Sequence, residues 1–82
     1  MKKMIILILI GKRHASAVSV QEILTKYGCS IKTRLGIHDG VLDQCSEVGL
    51  IMIEFVGEGK NDIIEELAAI EQVTAKLVEL EL

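Results

Sequence analysis

A run of seven aliphatic residues, Met4 to Ile10, constrains the fold of this 82-residue chain more than any other feature. A strand that is apolar on both sides has to be covered on both faces, as the central strands of sheets are. The run is also far shorter than the roughly 20 residues that span a bilayer. Gly11 ends it. We therefore predict a central strand and no transmembrane helix.

The rest of the chain alternates between helix and strand patterns. Apolar residues recur at helical spacing from about Ala15 to Tyr27 and again from Ile63 to Ile70. Ile31 to Leu35 alternates apolar and polar residues, which is typical of an edge strand with one buried face. Leu50 to Val56 is almost entirely apolar and predicts a second central strand, and Thr74 to Leu82 predicts the last strand.

Local signals add finer expectations. Ser16 is one candidate to cap the first helix, and Ser19, with Glu22 three residues later, is another. Asn61 is the expected cap of the second helix. The alternation of the last strand slips at Leu77 and Val78, which predicts a bulge or a change of buried face there.

The resulting order, βαββαβ, contains two similar strand-helix-strand halves. Right-handed crossovers place the two apolar strands in the middle of the sheet. The predicted fold class is α+β: a ferredoxin-like two-layer sandwich, with an antiparallel sheet and two helices on one face, forming a single domain over residues 1–82. The second face would expose an apolar patch larger than monomers usually tolerate. We therefore expect a homo-oligomer, a dimer or tetramer, formed sheet to sheet or edge to edge.

Composition excludes several classes of function. The net charge is −3, and Tyr27 and Phe55 are the only aromatic residues, so neither a basic field nor a base-stacking surface indicates nucleic-acid binding. Two cysteines are too few for an iron-sulfur ferredoxin, and no Cys-x-x-Cys stands in the first turn for a soft-metal chaperone. Free thiols fit a reducing, cytoplasmic compartment. The sequence contains no evident pair of a nucleophile and a base, so it does not predict an enzyme.

The first candidate site is the basic turn after the first strand, Gly11, Lys12, Arg13 and His14. Backbone amides at the start of a helix, with the positive end of its dipole, favour an anion such as a carboxylate or phosphate. A solvated turn that only closes a buried strand is the alternative. Arg34, on the edge strand, is a further ligand-binding candidate.

The second candidate site is the segment Gly36–Gly49, which is far longer than a hairpin needs. Its potential metal ligands are His38, Asp39, Asp43, Cys45 and Glu47. A histidine and a cysteine, here His38 and Cys45, would suit zinc, nickel or copper. Three interpretations stay open: a merely structural loop, a contact for a small ligand or a partner, and a metal site.

Two residues outside these segments also raise the question of function. Glu54 lies in a predicted central strand, where a carboxylate needs a partner, and Lys32 or Arg34 on the neighbouring strand could provide one. A functional carboxylate is the alternative. Cys29 follows the first helix and is expected to be a small buried hydrophobe.

Tyr27-Gly28, the stretch Arg34-Leu35-Gly36-Ile37 and the apolar strand after the loop carry a family resemblance. Over essentially its full length the chain resembles the iron-only hydrogenase system regulators, relatives of ACT domains and of the C-terminal domain of the nickel-responsive regulator. The resemblance implies a ferredoxin-like fold, dimers or tetramers and a regulatory role. It also implies a role for Gly11, which matches the glycine beside the interface ligand site of ACT domains. The longer loop with His38 and Cys45 departs from the family pattern.

Together these features predict a regulatory, homo-oligomeric domain that senses a small ligand and has no DNA-binding segment of its own. The residues Gly11 to His14 and the 36–49 loop would converge at a subunit interface to bind a small anionic ligand or a metal ion. The alternative is an adaptor that contacts a protein partner through the 36–49 loop. The sequence identifies no cofactor.

Overall fold

The computed structural model describes residues 1–38 and 48–82, and for Arg13, His14 and His38 it describes the backbone alone. The elements follow the predicted order, βαββαβ, with a short 3-10 turn after the first helix. They are β1 (Lys2–Ile10), α1 (Arg13–Lys26), the 3-10 turn (Gly28–Ser30), β2 (Ile31–His38), β3 (Gly49–Phe55), α2 (Lys60–Ala68) and β4 (Val73–Glu81).

The four strands form one antiparallel sheet in the order β2-β3-β1-β4. The two apolar strands, β1 and β3, lie in the middle, and β2 and β4 form the edges. The α+β, ferredoxin-like prediction is therefore confirmed. In the described ranges no helix is both long and apolar enough to cross a membrane.

The core lies between the sheet and the two helices. Alternate residues of the central strands, such as Ile6, Ile8 and Ile53, are almost completely buried on this side. Helix α1 contributes Val20 and Leu24, and α2 contributes Ile63 and Leu67. Each helix thus buries one stripe at three- or four-residue spacing, and together they cover one face of the sheet.

We call the other surface of the sheet the open face, because no element of the described chain packs on it. The strand register places two rows of apolar side chains there, in which directly paired residues share a face. We refer to these six as the apolar rows: Leu35, Met52 and Leu7 in one row, and Ile37, Leu50 and Leu9 in the next. Leu9, Leu35 and Ile37 keep 47–50% of their surface exposed.

Both helices begin earlier than their sequence signals indicate. Helix α1 begins at Arg13 after Lys12, and no side chain caps it. Ser16 is instead buried in the first turn and donates a hydrogen bond to the backbone oxygen of Glu71, so neither it nor Ser19 is a cap. Helix α2 follows Gly59, whose φ of 102° turns the chain into the helix. Asn61 therefore lies inside the helix, and its assignment as the cap was wrong.

The strands also differ in detail from the prediction. Strand β4 pairs with β1 residue for residue and has no bulge; Leu77 and Val78 are both apolar because each face of the sheet is apolar at that point. The register shift lies instead in β2, between Ile31 and Thr33. Strand β2 continues to His38, so the connection to β3 is shorter than the predicted 36–49 loop.

Candidate functional site

Two of the predicted features, the turn after β1 and the connection after β2, start at one end of the sheet. Ile10, the last residue of β1, pairs with Gly49 on one side and Val73 on the other, and Gly49 pairs with His38. Neighbouring strands are about 4.8 Å apart, so the backbones of Ile10 and His38 are separated by roughly 10 Å. The turn after β1 and the connection after β2 therefore start from the same end.

At this end an open groove of about 510 Å³ separates β1 from the end of α2; we call it the terminal groove. Its lining residues are Leu9, Gly11 and the segment 68–74. Gly11 donates its backbone N–H to the carbonyl oxygen of Gln72 at 2.7 Å. A Cβ at Gly11 would lie 2.8 Å from Oε1 of Gln72, so any side chain there would displace that amide group.

Gln72 is the residue that the sequence analysis missed. Its φ is 65°, the one positive value among the non-glycine residues described, and such a backbone costs about 1–2 kcal/mol. Left-handed backbone is typical of glycine or asparagine, so nothing in the sequence marks this position. The Gln72 side chain lies beside Gly11, and residues with such a backbone are often found at functional sites.

The groove lies between two helix ends of opposite polarity. Helix α1 begins two residues after Gly11, and the start of a helix carries a partial positive charge, to which Lys12 adds a full one. On the other side, α2 ends at Ala68 and Glu71 follows, which makes that wall negative. The arrangement suits a small polar ligand whose anionic group faces α1.

The structure separates Arg34 from this end. Arg34 pairs with Ile53, four residues before His38, and is therefore roughly 13 Å away along β2. Its side chain is exposed and forms no ion pair with any other residue of the described segments. Of the predicted ligand-binding residues, Gly11 lines the terminal groove, and Lys12 and the backbones of Arg13 and His14 follow it at the start of α1, whereas Arg34 lies apart from them.

The metal prediction falls largely outside the described residues. The backbone of His38 ends β2, while Cys45, with Asp39, Asp43 and Glu47, lies in the undescribed segment 39–47. Among the residues that are described, no three or more histidine, cysteine or acidic side chains cluster as metal ligands would. Cys29 is exposed, because it lies in the 3-10 turn rather than under α1, so its predicted burial was wrong.

Glu54 has the partner that its position demands. Its carboxylate lies 3.0 Å from Nζ of Lys3 and 4.0 Å from Nζ of Lys32, and 18% of its side chain is exposed. Of the two predicted partners, Lys32 and Arg34, it is Lys32 that lies near Glu54. Lys3 was not predicted, because β1 starts two residues earlier than expected. The hydrogen bond to Glu54 and its negative charge raise the pKa of Lys3. The negative charge of Glu54 is therefore balanced by lysines on the open face.

A second polar cluster ties the two helices together at the opposite end of α1. Glu66 of α2 accepts hydrogen bonds from the Tyr27 hydroxyl and, at 2.7 Å, from Lys26. These bonds lower the pKa of Glu66, and the bond to Glu66 raises the pKa of Tyr27 to about 12. Every member of the cluster is paired within it, which indicates a structural role.

Fold, sheet order and groove together define a ferredoxin-like α+β domain with a polar groove at one sheet end. No family model and no curated protein matches the chain. Among solved structures it is similar to the uncharacterized protein TM1266 from Thermotoga maritima, with a TM-score of 0.75 and 23% sequence identity. The similarity covers 99% of this chain and 100% of that one, so it extends the shared fold over the whole domain.

Proposed function

We propose that this protein is a homo-oligomeric regulatory domain that binds a small anionic ligand in the terminal groove, at the boundary between two subunits. One observation carries the proposal: the groove lies at the start of β4, the edge strand best suited to pair with a second copy. Gln72, Val73 and Thr74 line the groove and also lead into that strand.

The two edge strands differ in how readily they could pair. Strand β2 contains a register shift between Ile31 and Thr33, and such irregularities protect an edge from pairing. Strand β4 is nine residues long and regular throughout. On its outer side it has no neighbouring strand in the described chain, so it presents a row of backbone donors and acceptors.

Pairing of β4 with its copy would place the groove at the subunit boundary. In an antiparallel pair centred on Leu77, the middle of the strand, Thr74 of one subunit lies opposite Leu80 of the other. The end of the second β4 would then form the outer wall of the groove. A ligand held there would contact both subunits, which is how binding could change assembly or shape.

Native mass spectrometry of freshly purified protein, with neither metal nor chelator added, tests the proposal. We expect a multimer that carries a discrete added mass. Gly11→Val should remove that mass, because the new side chain displaces the Gln72 amide, while leaving the multimer intact. Gly28→Val is the matched control, since a Cβ at Gly28 meets nothing within 4 Å.

Two results would contradict the proposal: a monomer at all concentrations, or an adduct that survives Gly11→Val. The adduct mass also distinguishes a metal ion from an organic anion. A metal mass that disappears in His38→Ala or Cys45→Ala would assign the ligand to the connection between β2 and β3 instead of the groove.

A further inference from the structure

We propose that the open face is a docking surface for an amphipathic helix of a partner protein whose polar side is acidic. This inference goes beyond the ligand groove and does not depend on it. It follows from two properties of the open face, its apolar rows and the sign of the charges around them, which together define the chemistry of the partner.

The apolar rows have the dimensions of a helix-binding surface. Each row crosses β2, β3 and β1, a span of about 10 Å between the outer backbones, and the two rows are about 7 Å apart. A helix is about 10 Å wide with its side chains. Two or three turns of a helix, with apolar residues at i, i+3, i+4 and i+7, would cover these six side chains.

The charged residues around the rows are mostly basic. Among the described residues, Lys3, Lys32 and Lys76 share this face with a single acid, Glu54. Three lysines against one glutamate give the face a formal charge of +2. The other side chains that the structure describes include five cations and eight carboxylates, a formal charge of −3. Among the described residues the open face is thus basic and the rest is acidic, which favours an acidic partner at this surface.

Lys76 is the cation best placed to meet such a partner. It pairs directly with Leu7 across β4 and β1, and so extends one of the apolar rows. Lys3 and Lys32 both lie near Glu54, whereas no ion pair joins Lys76 to another residue in the described ranges. Its side chain is exposed beside apolar groups, where a carboxylate of a docked helix would reach it.

A second copy of this chain fits the open face less well. Two open faces packed together would oppose +2 with +2. The helix side of another copy has the right sign, but its apolar stripe, with Ile63 and Leu67, is already buried in its own core. An anionic membrane surface also carries the opposite charge to the open face. Its headgroups, however, would lie against the carboxylate of Glu54, and the apolar rows form a flat surface.

Binding of two synthetic peptides, followed by fluorescence anisotropy, tests the inference. Both have about 18 residues and leucine at i, i+3, i+4 and i+7; one carries glutamate and the other lysine on the polar side. We expect the glutamate peptide to bind at least about tenfold more tightly. Lys76→Gln should weaken it several-fold, and Gln21→Glu, which changes the net charge equally but lies on α1, should not.

A second pair of substitutions tests the apolar rows. Leu35→Thr with Ile37→Thr places β-branched residues, which suit a strand, at both positions while it removes half-exposed apolar surface, and it should weaken binding of the glutamate peptide about tenfold or more. Circular dichroism verifies that this variant is folded. The peptide affinity should fall with salt, since part of it is electrostatic.

Five outcomes would overturn the inference. Equal or tighter binding of the lysine peptide would refute the charge argument, and binding of neither peptide would refute the surface itself. An unchanged affinity in Lys76→Gln would mean that the peptide binds elsewhere. Conversion of the protein to a monomer by Leu35→Thr with Ile37→Thr would identify a second copy as the occupant, and association with anionic vesicles alone would identify a membrane.

Discussion

Tyr27 is the residue whose surroundings make the sharpest prediction about pH. Its hydroxyl donates a hydrogen bond to Glu66, and this bond, with burial and the nearby negative charge, raises its pKa from 10 to about 12. A pKa raised in the folded state contributes stability that is complete below pH 10 and is lost as the pH rises through about 12. Because Tyr27 is the only tyrosine, tyrosinate absorbance reports on it alone.

We expect a tyrosinate titration with a midpoint near 12 in the wild type, measured where circular dichroism shows a folded protein. Glu66→Gln removes the negative charge and should lower the midpoint towards 10. Glu65→Gln is the control: it makes the same change on the neighbouring, exposed position of α2. A wild-type midpoint of 10 would mean that the bond between Tyr27 and Glu66 does not form in solution.

Residues whose environment follows from their own strand were predictable, and residues that depend on distant segments were not. The position of Glu54 within an apolar strand predicts a cationic partner, Lys32 or Arg34 on the next strand, and Lys32 lies 4.0 Å from its carboxylate. Gln72 and Ser16 depend instead on contacts with Gly11 and Glu71, which are 55 or more positions away. No local pattern in the sequence contains such information.

At the scale of the elements, the start of α2 depends on the backbone of Gly59. Its φ of 102° is a conformation that costs an L-residue about 1–2 kcal/mol. A Cβ there would lie 3.6 Å from Cε1 of Tyr27, an ordinary contact distance, so the cost comes from the backbone and not from a clash. Gly59→Ala should therefore lower the free energy of unfolding by about 1–2 kcal/mol.

Gly28→Ala is the matched comparison, because its φ is not positive and the space around it is open. Alanine restricts the unfolded chain, so this change should be neutral or stabilise by up to about 1 kcal/mol. Urea denaturation of both variants measures the difference. Equal effects of the two substitutions would show that α2 does not begin at a left-handed Gly59.

The elements themselves were readily predicted from periodicity, and their ends were not. The four strands and two helices all exist in the predicted order, because apolar spacing determines which side of each segment is buried. The capping signals failed at both helices: Lys12 and Gly59 precede them, and no side chain caps either. The slip at Leu77 and Val78 predicted a bulge or a change of buried face, but the register is regular and both faces of the sheet are apolar at that point.

On the scale of the whole molecule, the two faces of the sheet are used differently. The helix side contains the buried core, and the open face combines the apolar rows with a positive charge. The terminal groove lies where this face, the β4 edge and the end of α2 meet, since Leu9 and Thr74 belong to both the groove and the open face. A ligand in the groove is therefore positioned to affect both proposed contacts.

The proposed pairing of β4 with its copy makes a prediction in which the sign of one charge decides the result. In a pair centred on Leu77, residue 78 of each strand lies opposite Lys76 of the other. Val78→Lys would place a lysine opposite Lys76 at two symmetric positions of the pair, which opposes like charges. Val78→Glu would place a glutamate at the same two positions and create two ion pairs. Cross-strand pairs contribute roughly 0.2–1 kcal/mol each, so the dissociation constants of the two variants should differ by about tenfold or more.

Sedimentation equilibrium over a range of protein concentrations measures this difference. We expect weaker association for Val78→Lys than for the wild type, and retained or stronger association for Val78→Glu. Val18→Lys is the control, because Val18 is 69% exposed and belongs to α1, not to the β4 edge. Thermal unfolding should follow the same order and depend on protein concentration, since self-association stabilises the folded state. Equal weakening by lysine and glutamate would exclude the register centred on Leu77, and no effect of either would exclude the β4 edge as the subunit contact.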